Sequence, residues 1–261
     1  TPHGSIHTHM VIAMGKIPYE LTKAGLTPQA IETLREIAQR EVAARPPTIG
    51  LIGVSGVGKS FTINTLFKTE LETSDTVACT KEFKAIDLGL EFTKGRAIGT
   101  AVGLRIIDAS GLWEDMKRDP EYLSMYREHL SQCDVVLSIM TARNRAVALD
   151  QLYLEQLHEF HLKIIFGVNQ VDLIEPMDWD DSINLPSVQQ SENIDIILDD
   201  RREKIERIVD REIVIIPYSA KTRYNSQELF TGIVKSSPPT RAWIFSDLKN
   251  FRYDDFIPDA L

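Results

Sequence analysis

The chain has 261 residues, 43% of them hydrophobic and 26% charged, enough apolar material for one large core or two small ones. Its net charge of −9 argues against a broad basic surface for nucleic acid. The two cysteines, Cys79 and Cys133, lack metal-ligand spacing and fit a reduced, cytoplasmic setting; no apolar run is long enough to span a membrane, so membrane association is expected only through regions outside this chain.

Residues 1–26 read as a leader, tag-derived or disordered; three of the six histidines fall in 1–10, and a metal-binding cluster is the alternative. Residues 27–47 form a helix and linker. Thr27 is the cap, Pro28 sits in the first turn, and Ala30, Ile31, Leu34, Ile37, Ala38 and Val42 make one apolar face. This helix is expected to pack on the outside of the domain, with an oligomerisation role as the alternative. Thr48 to Ile52 is a short β-branched, apolar strand, and Phe61 to Phe67 has helical spacing. A Thr-, Ser- and Asp-rich loop covers 69–84, and Phe83 to Phe92 alternates like an edge strand. Leu104 to Ile107 is a strand ending at Asp108, followed by a loop and helix over 112–132. Val135 to Met140 and Ile164 to Val168 are buried strands flanking a helix from Leu149 to Phe160. Residues 173–193 read as an insertion, Ile194 to Val209 as an amphipathic helix, Ile213 to Ile216 as a strand, and Leu229 to Val234 as part of a last helix. Strands alternating with helices imply an α/β fold with a mostly parallel sheet covered on both faces. The main domain is expected over 48–235, and 236–261 as a tail that packs on it or leads to a further region.

Between the first strand and first domain helix stands Gly53-Val54-Ser55-Gly56-Val57-Gly58-Lys59-Ser60, the phosphate-loop pattern in its required context. The glycines let successive N–H groups turn inward on phosphate oxygens, and the helix opening at Lys59 adds its positive end. Gly53, Ser55, Gly56, Val57, Gly58, Lys59, Ser60 and Phe61 are the expected phosphate contacts. The Lys59 ammonium is suited to the β- and γ-phosphates, and the Ser60 hydroxyl to Mg²⁺.

Three further motifs follow predicted strands, at the carboxyl ends where open α/β sheets bind ligands. Asp108-Ala109-Ser110-Gly111 offers a carboxylate for Mg²⁺ and an N–H for the γ-phosphate. Asn169-Gln170-Val171-Asp172 offers a carboxylate to the N1–H and N2–H₂ edge of guanine, a donor pair that adenine lacks. Asp172 is the expected base selector, with Asn169 tying its loop to the phosphate loop. In Ser219-Ala220-Lys221 the Ala220 N–H is the expected donor to guanine O6.

In this order, GVSGVGKS, a switch threonine, DASG, NQVD and SAK resemble a Ras-type GTPase domain of the translation-factor-related class. Within that class the chain resembles the Era-like branch, and its closest likeness is to the YfjP-type GTPases. SFTINTLF, ACT at 78–80, FGVNQVDLIEP with Trp179 beyond it, and PSVQQ at 186–190 carry that likeness. The resemblance covers about 48–234. It implies a three-layer P-loop G domain with a six-stranded sheet, and a switch that binds GTP or GDP with Mg²⁺ and hydrolyses GTP. It implies Ser60, Thr80 and Asp108 as Mg²⁺ ligands, with Thr76 the alternative switch threonine, and Lys59, Thr80 and Gly111 as the residues stabilising the reacting phosphate.

The departures bear on rate. Leu112 stands where Ras-type enzymes orient water with Gln, and leucine makes no hydrogen bond. Gly56 stands where potassium-activated relatives have Asn. Gln170 stands where many members have Lys over the base. Slow intrinsic hydrolysis is expected, aided by a partner or a nucleotide-dependent homodimer. Arg143 and Arg145 are candidate fingers across such a dimer, with an ordinary surface role as the alternative. A nucleotide-gated assembly scaffold with negligible hydrolysis, septin-like or immunity-associated-like, is the alternative function.

Overall fold

The computed structural model describes residues 25–54, 56–67, 84–90, 102–108, 120–143, 148–242 and 244. The first helix, α1 (Pro28–Ala44), opens as the sequence implies: the Thr27 side chain accepts from the Ala30 N–H, and Pro28 sits in the first turn. Its apolar face is only partly covered. Ile31 and Val42 are buried, but Leu34 and Ile37 are 41% and 47% exposed.

Six strands of the described residues make the main sheet. They are β1 (Thr48–Ile52), β2 (Lys84–Leu90), β3 (Val102–Asp108), β4 (Val135–Thr141), β5 (Ile164–Asn169) and, after the short pair β6 (Trp179–Asp180) and β7 (Leu185–Pro186), β8 (Ile215–Pro217). The spatial order is β2-β3-β1-β4-β5-β8. Only β2 runs antiparallel, at the edge against β3, so the sheet is mostly parallel as expected.

The three layers follow from side-chain alternation along buried strands. In β4, Val135, Leu137 and Ile139 face the layer that holds Ile63 and Leu66 of α2 (Lys59–Phe67) and Leu229 and Phe230 of α6 (Ser226–Ser236). Val136 and Met140 face the other layer. There they meet Tyr126 of α3 (Pro120–Ser131), Leu154 of α4 (Ala148–Gln156) and Leu198 of α5 (Val188–Val209). Burying each such side chain contributes about 1.5–3 kcal/mol, so these two apolar layers dominate stability. Because β1, β3, β4, β5 and β8 are parallel, their carboxyl ends lie along one edge, and the described motif loops after β1, β5 and β8 meet there.

Three boundaries differ from the sequence pattern. Helix α5 begins at Val188 rather than Ile194, capped by the Ser187 hydroxyl accepting from the Gln190 N–H at 3.2 Å. Its first turn buries a glutamine, so apolar periodicity does not reveal it. The helix expected over 149–160 ends at Gln156, and His158–Lys163 continue as a 3₁₀ turn. Strand β8 starts at Ile215, because Val214 is 76% exposed and outside the ladder. The 173–193 insertion is thus a small hairpin, β6 with β7, plus the opening of α5. Trp179 packs edge-on against Tyr224 at 5.1 Å, and its Nε1 donates to Asn184 Oδ1 at 3.1 Å.

The edge opposite the motif loops carries a buried carboxylate. Asp134 Oδ2 accepts from the Thr48 N–H at 2.9 Å, and Oδ1 pairs with Arg45 at 2.9 Å and Arg241 at 2.7 Å. Arg241 also donates to the Arg45 carbonyl at 2.8 Å. The linker after α1 and the segment after α6 therefore meet at the start of β4. The hairpin and the first half of α5 have a different character. Residues 164–200 contain nine carboxylates, Asp172 through Asp200, and no Lys or Arg, so the whole net charge of −9 resides in this stretch. Among the described residues, no helix is long and apolar enough to cross a membrane.

Candidate nucleotide site

The phosphate loop lies between β1 and α2 and is shaped by close approach. Gly53 has φ +148, and a Cβ there would stand 2.3 Å from the Ile139 carbonyl oxygen. Gly58 has φ +88, and its Cβ would stand 2.5 Å from Asn169 Nδ2. Only glycine satisfies both the backbone angle and the space. Lys59 is 7% exposed, and its ammonium donates to the carbonyls of Gly53 at 2.8 Å and Val54 at 3.0 Å. A buried cation at the start of α2 is thereby folded back over the loop that precedes it. Val57 is buried, Ser60 is half-buried in the first turn of α2, and Phe61 is 43% exposed. Asp108 ends β3 beside Leu51 of β1, two residues before Gly53.

Asn169 ends β5 and reaches two other loops. Its Nδ2 donates to the Val57 carbonyl at 2.9 Å, and its Oδ1 accepts from the Ala220 N–H at 3.0 Å. The tie to the phosphate loop is the one the sequence suggested. The second bond engages with Asn169 the same Ala220 N–H that the sequence offers to guanine O6. Gln170 adopts the left-handed region at φ 65. Its Nε2 donates to the Gly56 carbonyl at 3.3 Å, and its Oε1 accepts from the Thr141 hydroxyl at 2.7 Å. Gln170 thus spans from the end of β4 to the phosphate loop. Asp172 follows in the Val171–Leu173 3₁₀ turn and is 8% exposed.

Two residues that the motif reading passed over lock the third loop. The Thr62 hydroxyl on α2 donates to the Gly58 carbonyl at 2.8 Å and shares a hydrogen bond of 2.9 Å with the Tyr218 hydroxyl. Burial pushes the Tyr218 phenol well above its ordinary pKa, with the Thr62 bond offsetting part of that, so it stays protonated. The Thr65 hydroxyl donates to the Ala220 carbonyl at 3.0 Å. Ser219 and Ala220 are buried, and Lys221 is exposed. Nothing local distinguishes Thr62 or Tyr218 from ordinary core residues, so only their juxtaposition reveals the link.

Ser55, Thr76, Thr80, Gly111, Leu112, Cys79 and Arg145 lie outside the described residues. Arg143 is exposed, and its N–H donates to the Thr141 hydroxyl at 3.2 Å. His129 lies on α3 and His158 and His161 in the 3₁₀ turn before β5; the His161 ring bonds the Leu154 carbonyl at 2.7 Å. None of the three lies in a motif loop.

Residues 48–170 match the family described as 50S ribosome-binding GTPase. The chain is 33% identical over 154 residues to the uncharacterized protein YfjP of Escherichia coli (strain K12), an alignment covering 57% of this chain and 48% of that protein. It is 29% identical over 131 residues to GTPase Der of Buchnera aphidicola subsp. Baizongia pistaciae (strain Bp), covering 48% of this chain and 26% of Der. The chain therefore spans about half the length of YfjP. The crystal structure of Era in complex with MgGDPNP and nucleotides 1506–1542 of 16S ribosomal RNA superposes with a TM-score of 0.51 at 22% identity, over 74% of this chain and 57% of that one, and shows the same fold. Strand order and loop placement agree with these likenesses: the fold is that of the P-loop GTPases, and residues 48–170 match the GTPase family model.

Proposed function

We propose that this chain is a Mg²⁺-dependent guanine-nucleotide switch that hydrolyses GTP slowly. The observation that carries the reading is Asn169, whose one side chain joins the phosphate loop, the base loop and the Ser219–Lys221 loop. A base contact made at Asp172 is thereby coupled to a phosphate contact made at 53–60. The proposed phosphate contacts are Gly53, Ser55, Gly56, Val57, Gly58, Lys59, Ser60 and Phe61, with Asp108 and Gly111 assigned to Mg²⁺ and the γ-phosphate. Asn169, Gln170, Asp172, Ser219, Ala220 and Lys221 surround the base.

Ser60, in the first turn of α2, and Asp108, which ends β3 beside β1, are residue types with hard oxygen donors suited to Mg²⁺, with Thr80 as the third ligand. The ion, when bound, neutralises developing phosphate charge. Lys59 exchanges its two loop carbonyls for phosphate oxygens, so no new cation must be buried. The Gly111 N–H supports the γ-phosphate. Leu112 provides nothing to orient water, and this is the reason for a slow rate. We propose that 48–235 is the switch domain, flanked by 1–26, 27–47 and 236–261, and that a homodimer or partner supplies the missing group, with Arg143 and Arg145 as candidates.

The test is a competition panel against fluorescent GDP, with and without Mg²⁺, read together with oligomeric state and phosphate release. GDP and GTP are expected to displace the probe and ATP to fail at equal concentration; displacement by ATP sinks the guanine assignment. Turnover of the monomer well above about 1 s⁻¹ without partner or added ion removes the slow-hydrolysis reading. GTP-dependent assembly with no turnover favours a nucleotide-gated scaffold instead.

A further inference from the structure

Gln190 is completely buried in the first turn of α5. Its side-chain amide nitrogen approaches three main-chain carbonyls: Ile174 at 2.8 Å, Asp172 at 3.1 Å and Val171 at 3.5 Å. All three belong to the short turn that carries Asp172. The reverse orientation of the carboxamide would set an oxygen against three oxygens, so chemistry fixes which end faces the turn. The other end, Oε1, is buried without a hydrogen-bond partner among the described residues. A buried acceptor left unpaired costs about 1–3 kcal/mol, a cost that methionine or leucine in the same space would avoid. The amide is therefore explained by what its nitrogen holds rather than by packing. One turn later Asn193 donates to the Glu175 carbonyl at 2.8 Å, so α5 grips this segment at two successive points.

From the front, Asn169 and Gln170 fix the base loop to the phosphate loop; from behind, Gln190 fixes the peptide that carries the Asp172 carboxylate. We propose that Gln190 is a positioning residue for base selection: it sets where the Asp172 carboxylate is presented, and through it the discrimination between guanine and bases lacking the N2 amino group. The inference rests on the reading of Asp172 as the base selector. A carboxylate that must accept N1–H and N2–H₂ together is sensitive to small displacement, whereas a single hydrogen bond tolerates more. Losing Gln190 should weaken GDP more than inosine diphosphate, whose base has N1–H but no N2 amino group.

The experiment measures dissociation constants for GDP and inosine diphosphate on the full chain, with thermal stability recorded for each variant. Wild type is expected to prefer GDP. Gln190→Met should lower that preference about tenfold, the loss of one good hydrogen bond to a charged group. In an Asp172→Asn background the same substitution should leave the ratio unchanged, because its effect passes through Asp172. Ser187→Ala, which removes only the cap that seats the Gln190 N–H, should lower the preference in the same direction by a smaller factor and serves if Gln190→Met does not fold. A fall in stability with an unaltered GDP-to-inosine-diphosphate ratio in both variants overturns the proposal and leaves Gln190 purely structural. A wild type that does not distinguish the two nucleotides overturns the Asp172 reading itself, and the proposal with it.

Discussion

The side-chain amide of Asn169 donates to the Val57 carbonyl oxygen at 2.9 Å, joining two loops 112 residues apart in sequence. With its oxygen engaged by the Ala220 N–H, both polar ends of one buried side chain serve different loops. Asn169→Ala leaves a carbonyl and an N–H unpaired, at about 1–3 kcal/mol each. The expected result is a stable but loosened domain whose GDP affinity falls at least about tenfold, read by titration of fluorescent GDP alongside thermal melting. Unchanged affinity would show that the tie does not govern binding.

Gly58 and Gly56 make a controlled pair. Both have positive φ, +88 and +79, but a Cβ at Gly58 meets Asn169 Nδ2 at 2.5 Å, while one at Gly56 meets nothing within 4 Å. Gly56→Ala is expected to cost only the left-handed backbone, about 1 kcal/mol. Gly58→Ala must also displace Asn169 and should cost about 1–3 kcal/mol more and abolish measurable GDP binding. Chemical denaturation of the two variants side by side checks the order; equal effects would refute it.

Asp134 separates stability from binding, because it lies at the sheet edge opposite the motif loops. Its side chain is fully buried, and Arg241 is 13% exposed while Arg45 is 55% exposed. Asp134→Ala leaves Arg241 and the Thr48 N–H without their partner and should destabilise by about 3–5 kcal/mol. Arg45→Ala should cost less than about 1 kcal/mol, since that pair is solvated. GDP affinity of the folded fraction should not change for either. A loss of affinity would mean that this edge communicates with the nucleotide site.

The buried thiol of Cys133 predicts an alkaline limit. Burial pushes it up from 9.0 to about 12, with the Lys163 ammonium offsetting part of the rise. Below pH 9 the thiol is neutral in both folded and unfolded chains, and its contribution to stability is fully present. Between pH 9 and about 12 the unfolded chain gives up the proton and the folded chain keeps it, so stability falls as pH rises, by up to about 1.4 kcal/mol per unit. Urea unfolding at pH 8 and pH 10 should show a smaller drop for Cys133→Ala than for wild type. An identical drop would assign the alkaline loss to other groups.

Much of the site was legible because its signals are local. A strand, a glycine loop and a helix occupy consecutive residues, and Asp172, the carboxylate proposed to select guanine, sits three residues after Asn169, which ends a buried strand. Parallel, fully buried strands read as apolar runs, so the mostly parallel sheet, its two covered faces and an edge strand within 83–92 followed from hydrophobic pattern and turn residues, whereas the antiparallel direction of that edge strand did not. The boundaries of α4, α5 and β8 did not, since each depends on which turn is buried. The Ser187 cap and a buried Gln190 give no apolar periodicity.

The sequence by itself determined which chemistry meets at the carboxyl ends of the strands, because phosphate and base recognition need fixed residue types at fixed short spacings. Only the tertiary structure decided how those loops are held to one another. Thr62 meets Tyr218 across 156 residues, Asn169 meets Val57, and Gln190 meets the carbonyls around Asp172. Such bonds join polar groups whose spacing along the chain carries no pattern. They arise from strand order and burial, which bring distant loops to one edge and make it costly to leave polar groups there without a partner.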